Sequence, residues 1–187
     1  MAKRLVVGVS GASGAPLAVA LLRRLQNRSD VQTHLVLTCG GELTLRQECG
    51  MTAADLSALA DVTHDNTDLG AAIASGSFKT LGMVVVPCSM KTAAGIATGY
   101  SDNLLLRAVD VTLKERRKLV LVARESPLST LHLRNLCTVS ELGAVVLPPV
   151  PAYYRRPRTV EDCTAHTVSR ILSQFDLDEE EYQWSGL

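Results

Sequence analysis

Five short apolar runs that fail to alternate leave this chain few folds to choose from. They occupy residues 4–9, 33–38, 83–86, 118–123 and 144–147. A strand with one wet face alternates apolar and polar side chains, whereas a run apolar throughout is covered on both faces, as in a parallel sheet. Helical patterns fill the intervals. Residues 16–28 carry an aliphatic stripe and open with Pro16 in the first turn. Residues 42–48 are helical, and another helix starts at Thr52, where Thr-x-x-Asp resembles a capping box. Residues 103–116 form an amphipathic helix with Asp102 as the expected cap, and 130–142 a helix closed by Gly143. The closing helix covers 159–175, and residues 61–80 are polar and the least regular stretch. Pro87 is expected to stop the third strand, and Pro148, Pro149 and Pro151 the fifth. The order βαβαβαβαβα predicts the α/β class: a single doubly wound parallel-sheet, three-layer domain, Rossmann-like or flavodoxin-like, over residues 1–187, with 176–187 as a tail.

Composition removes several functions. Hydrophobic residues at 47% and charged residues at 20% exclude disorder. Nineteen basic residues balance nineteen acidic ones, so the basic excess of a nucleic-acid or membrane-surface binder is missing. Aromatic residues are only 4%, which requires an aliphatic core. Five of them, Tyr153, Tyr154, Phe175, Tyr182 and Trp184, fall near the carboxyl end, Phe175 and Tyr182 reading as packing residues. The five cysteines are odd in number and include no CxxC pair, and the apolar run at 5–9 is too short for a signal or a span. The chain therefore reads as cytoplasmic. The four histidines are scattered at no metal-ligand spacing, so no metal is expected.

Ligands of open parallel sheets bind beyond the carboxyl ends of the strands, and the unusual residues gather there. Strand one is followed by Ser10-Gly11-Ala12-Ser13-Gly14-Ala15-Pro16, whose glycines admit close backbone approach and whose helix start favours an anion. The spacing is not GxGxxG, and such a loop also serves as a plain tight turn. Strand two ends at Thr38 before Cys39-Gly40-Gly41. Strand three leads into Cys88-Ser89-Met90-Lys91-Thr92, a second anion cradle or simply a helix cap, with Cys88 read as a packing residue. Arg124-Glu125 follows strand four, either an inert ion pair or a cation beside a proton carrier. Arg107, Asp110 and Lys114 share one helix face, a solvated stripe from which Lys114 is best placed to turn inward.

Taken together these segments resemble the flavin prenyltransferase family, the UbiX proteins and their relatives beside phenolic-acid decarboxylases. The stretches that carry the resemblance are GVSGASGAP (8–16), ALADVTHD (58–65), ASGSFKTLGM (74–83), PCSMKTAAGIATGY (87–100), NLLLRAVDVTLKERRKLVLVARESPLSTLHL (103–133), GAVVLPPVPAYYRRP (143–157) and RIL (170–172). The resemblance implies an FMN-binding homo-oligomer, typically a dodecamer. Its reaction joins a dimethylallyl group, from dimethylallyl phosphate, to N5 and C6 of reduced FMN, and prenylated FMN passes to a UbiD-type decarboxylase. It also implies FMN contacts at Ser13, Thr38, Ser89, Met90, Lys91, Thr92 and Arg124, and Gly11 and Ala12 of the same glycine-bearing loop are further candidates. The prenyl-phosphate pocket is implied at Lys114, Glu125, Tyr154 and Arg170, some of them from neighbouring subunits, and Arg107 and Trp184 are further candidate substrate contacts. On residue chemistry, Glu125 is the expected proton carrier, with Ser13 orienting it. Cys39-Gly40 stands where relatives commonly have Lys-Ala, and Tyr153 where they have phenylalanine.

Residue chemistry agrees with this reading. No DDxxD motif is available to hold Mg²⁺ on a diphosphate, and a monophosphate needs only a few direct cations. A flavin-dependent cysteine decarboxylase is the first rival, but its PASANT-type segment is here PCSMKT. A non-catalytic FMN-binding partner of a decarboxylase is the second, and it has no need of Glu125, Lys114 and Arg170 together. Direct decarboxylation of aromatic acids is a weaker third.

Overall fold

The computed structural model describes residues 2–177. Strands β1 (Lys3–Val9), β2 (Val31–Leu37), β3 (Val62–His64), β4 (Gly82–Cys88), β5 (Lys118–Ala123) and β6 (Val145–Val146) form one parallel sheet in the order β3-β2-β1-β4-β5-β6. This is the doubly wound Rossmann order, with its reversal between β1 and β4. Without the short edge strand β3 the remaining five read 2-1-3-4-5, the flavodoxin order, so both fold descriptions meet in one sheet.

Each face of the sheet has its own aliphatic layer. Leu5, Val7, Val9, Val84, Val86, Val120 and Val122 point to one side, under α1 (Ala15–Gln26) and α7 (Val160–Ser173), with Phe175 buried beside them as a packing residue. Met83, Val85, Leu119 and Leu121 point to the other, under α4 (Met90–Thr98), α5 (Leu104–Lys114) and α6 (Thr130–Glu141). Helices α2 (Cys39–Cys49) and α3 (Ala53–Ser57) cover the β2–β3 end, contributing Leu45 and Leu56 to the first layer. Among the described residues no helix is long and apolar enough to cross a membrane.

Local signals set most boundaries. Thr52 and Asp55 make both bonds of the expected capping box, and Gly143 follows α6 with φ of 100°. Four expectations are corrected. Asn103, not Asp102, caps α5: its Oδ1 accepts from the Leu106 amide at 3.0 Å, while Asp102 accepts from the Asn103 side chain. Helix α2 begins at Cys39 because the Thr38 hydroxyl accepts from the Gly41 amide at 3.1 Å. Pro87 does not end β4. The pairing with β5 slips between Val85 and Cys88, so the missing N–H falls at an irregularity rather than in a regular ladder. Within 61–80, β3 pairs with β2 through Thr63 opposite Leu35, a strand too short to announce itself.

That strand brings His64 onto buried His34. The rings stack at 5.3 Å, and His34 Nδ1 lies 3.0 Å from His64 Nε2. Phe78 meets His34 edge-on, and Arg4 lies over the Phe78 face. Burial, then the neighbouring His64 and Arg4, pushes His34 down to about 4.

Candidate active site

The reversal of strand order opens a crevice at the carboxyl ends of β1 and β4, and Ser10 ties its two lips together. Its hydroxyl donates to the Pro87 carbonyl at 3.0 Å and accepts from the Ser89 amide at 2.9 Å, while its own amide donates to the same carbonyl. The Arg124 amide donates to the Cys88 carbonyl at 3.1 Å, bringing the end of β5 alongside. On the other flank the turn after β1 touches the turn after β2. A Cβ on Gly11 would lie 2.9 Å from the Gly40 Cα, so backbone meets backbone there. Four of the five chemically rich turns thus form one rim.

The rim offers two helix starts, and they differ. At α1 the anion-favouring end is already filled: Glu48, from the end of α2, accepts from the Gly14 and Ala15 amides, both at 2.8 Å. Burial raises the Glu48 carboxyl, but the Ser13 hydroxyl, the two amides and the Arg124 charge together bring it below the usual range. Sequence reading missed Glu48. Thirty-four positions separate it from Gly14, and no local motif marks it. At α4 the cap is internal: the Ser89 hydroxyl accepts from the Thr92 amide at 3.3 Å and lies 3.1 Å from the Thr92 hydroxyl. The next amides, of Met90 and Lys91, belong to the first turn and have no intrahelical acceptor. Met90 itself is buried in the core, so only its backbone faces this turn. Cys88 is fully buried with its thiol pushed up to about 12, a packing residue as expected.

Glu125 is exposed and its Oε1 accepts from the following Ser126 amide at 3.0 Å. The Ser13 hydroxyl hydrogen-bonds the Glu48 carboxyl. The remaining site residues fall into two further groups. Arg107 pairs with Asp110 at 2.6 Å on α5. Lys114, at the other end of α5, turns to Glu115 at 2.6 Å rather than inward, beside Gly76 and thus at the amino ends of β4 and β5. Tyr154 and Arg170 share a groove of about 450 Å³ beside β6, with His166, Val146 and Pro148. Edge strand β6 lies two strands from β4, roughly 10 Å away. Trp184, Tyr182 and the acidic run 178–181 lie outside the described residues. Among the described residues no group of three or more histidine, cysteine, aspartate or glutamate side chains could hold a metal ion.

Fold and crevice define a parallel α/β protein built to hold a phosphate-bearing ligand at its switch point. Residues 1–173 match the flavoprotein family model. A probable UbiX-like flavin prenyltransferase of Streptomyces sp. is 54% identical over 185 residues, 98% of this chain and 92% of the relative. The crystal structure of AnUbiX (PadA1) in complex with FMN and dimethylallyl pyrophosphate is 47% identical, with a TM-score of 0.96 over all of both chains. A dodecameric FMN-dependent UbiX-like decarboxylase from Escherichia coli is 51% identical, with a TM-score of 0.95 over 98% of this chain and 100% of its own. The chain belongs to the UbiX-type flavin prenyltransferases of the flavoprotein family.

Proposed function

We propose that this protein transfers a dimethylallyl group from dimethylallyl monophosphate to N5 and C6 of reduced FMN, and that the prenylated FMN serves a UbiD-type decarboxylase. The carrying observation is the switch-point rim itself, where the turns at 10–14, 38–41, 88–92 and 124–125 converge with the start of α4 available to a phosphate. We assign FMN to this rim: backbone of Gly11, Ala12 and Met90, and side chains of Ser13, Thr38, Ser89, Lys91, Thr92 and Arg124. The reduced flavin supplies the two nucleophilic positions when bound.

The chain's residues handle charge and protons. Breaking the allylic carbon–oxygen bond leaves charge on phosphate, which Arg170, Lys114, Arg107 and the Tyr154 hydroxyl meet. Each charge-assisted hydrogen bond contributes about 1.5–3 kcal/mol. Glu125 moves the proton that the leaving phosphate gains or flavin C6 loses, and Glu48 fixes Ser13 at the flavin edge. Lys114 lies at the other end of the sheet from Ser13, so it completes the site of a neighbouring subunit. A dodecamer like that of the Escherichia coli relative supports this arrangement. Five free cysteines support a reducing, cytoplasmic setting, and residues 1–187 act as one flavoprotein domain.

The test is anaerobic incubation with reduced FMN and dimethylallyl phosphate, followed by mass spectrometry of the extracted flavin. A flavin carrying one added five-carbon unit and a fourth ring is expected, and unmodified FMN would refute the reading. Glu125→Gln is expected to yield flavin alkylated at one position or none. The four-ring product at full rate would remove Glu125 from the proton role.

A further inference from the structure

His166 stands on α7 one helical turn from Arg170, about 6 Å along the axis. Both side chains line the groove of about 450 Å³ beside β6. Among the described residues, His166 Nδ1 is the one buried side-chain nitrogen or oxygen with no hydrogen-bond partner. Nε2 is not such an atom, and the ring makes no hydrogen bond to a described residue. Nε2 is therefore the nitrogen that the imidazole presents to the groove. The Tyr154 ring meets the imidazole edge-on at 6.3 Å, which fixes the plane of the ring.

The two nitrogens of a neutral imidazole differ, since one carries the hydrogen and the other a lone pair. A buried N–H without an acceptor is rarer in folded proteins than an acceptor left short of donors. Burial of Nδ1 thus favours the tautomer with its hydrogen on Nε2, and the groove-facing nitrogen becomes a donor. Charging the ring would add a second N–H, on Nδ1, where nothing accepts it. The surroundings oppose that charge as well: burial first, then Arg155 and Arg170, hold His166 below the ordinary histidine pKa. Arg156 and Arg158 add further positive charge in the adjoining groove. Asp162, one turn back on α7, is the one carboxylate lining either groove. Its Oδ2 already accepts from the Arg158 and Thr159 amides, at 2.7 and 3.0 Å.

We propose that His166 is a further substrate-binding residue, which donates a neutral hydrogen bond from Nε2 to a phosphate oxygen of the prenyl monophosphate, beside Arg170. The identity of that phosphate rests on the flavin prenyltransferase reading. The two groups do different work. The Arg170 guanidinium supplies charge, whereas an uncharged imidazole supplies direction without a further cation among the arginines. The ring gives up no proton, so proton transfer stays with Glu125.

Calorimetric titration of the intact assembly with inorganic phosphate, in the absence of flavin, tests the donor. At neutral pH His166→Leu is expected to weaken phosphate binding by about tenfold or more, as for one hydrogen bond to a charged group. His166→Gln places an amide nitrogen about as far out as Nε2 and is expected to restore most of the affinity. His166→Asn extends only to the level of Nδ1 and is expected to restore little. This pair carries the comparison if His166→Leu fails to assemble. Titration in two buffers of different ionisation enthalpy should show the same proton exchange for the wild type and His166→Gln. Wild-type affinity retained in His166→Leu, or no difference between His166→Gln and His166→Asn, would overturn the assignment. A proton taken up by the wild type and not by His166→Gln would also overturn it, because the ring would then bind as an imidazolium. Anaerobic turnover of dimethylallyl phosphate separates this inference from the reading beneath it. There kcat/KM is expected to fall in His166→Leu by a similar factor and to recover in His166→Gln. Absence of turnover in the wild type removes the enzyme reading, and the phosphate titrations still judge His166.

Discussion

Glu48 Oε2 lies 2.8 Å from the Gly14 amide, so the last turn of one helix caps the first turn of another. A carboxylate at a helix N-terminus contributes about 0.3–1 kcal/mol at the surface. Glu48→Ala is expected to lower the Tm by about 1–4 °C at neutral pH, and Glu48→Gln, which keeps an acceptor, by less. Because hydrogen bonds hold this carboxyl below its ordinary 4.5, its stabilisation is complete above that value and disappears as pH falls through the folded value. Thermal melts of the two variants at pH 7 and pH 3 check this. A Glu48→Ala deficit that is as large at pH 3 as at pH 7 contradicts the assignment.

Ser10 is 1% exposed and makes two side-chain bonds across the switch point. Ser10→Ala leaves the Pro87 carbonyl with one donor fewer and the Ser89 amide with none from this group. The expected cost is about 1–3 kcal/mol, read as a drop in the urea midpoint with an unchanged slope. Flavin retention should fall as well, since Ser89 starts α4. A variant as stable as the wild type would mean that the lips hold without this serine.

His34 makes stability depend on mild acid. It is neutral in the fold to about pH 4 and protonates near 6.5 when unfolded, so the unfolded chain binds more protons between these values. Stability is full above about 6.5 and falls as pH drops toward 4, by up to about 3 kcal/mol. Asp61 works against the shift and His64 and Arg4 with it. Urea titrations across this window should show the slope, and His34→Leu should flatten it. An unchanged slope in that variant assigns the effect elsewhere.

Lys114 and Glu125 stand at opposite ends of the sheet, so a site containing both takes them from different chains. Lys114→Ala and Glu125→Gln proteins, each inactive alone, are expected to recover activity when unfolded together and reassembled. Recovery to a fraction of the wild-type rate near one quarter or less fits random mixing of two chain types at about equal amounts. No recovery in assemblies shown to be mixed would put both residues in one chain's site.

The sheet was legible because burial on both faces removes alternation from β1, β4 and β5, and the convergence of the strand-end turns was legible because parallel strands bring all their carboxyl ends to one edge. Part of what escaped was held by distance in sequence, and part by geometry between neighbours. Glu48 lacks a local motif, and β3, three residues long, is defined only by its partner β2. Asp102 and Asn103 are adjacent capping residues, and geometry alone decides between them. Lys114 shares a stripe with Arg107 and Asp110, yet a neighbour one position away captures it.

The meeting of Gly11 with Gly40 has a consequence for how this sequence is able to drift. A Cβ at Gly11 meets three backbone atoms of Gly40 at 2.9–3.2 Å, while one at Gly40 meets Gly11 Cα at 3.1 Å, and Cys39 next door is exposed. Variation is therefore graded along three neighbouring positions: closed at 11, narrow at 40 where alanine fits after a shift of a few tenths of an ångström, and open at 39. A saturation library selected for folded protein should return glycine alone at the first, two residues at the second and nearly the full alphabet at the third.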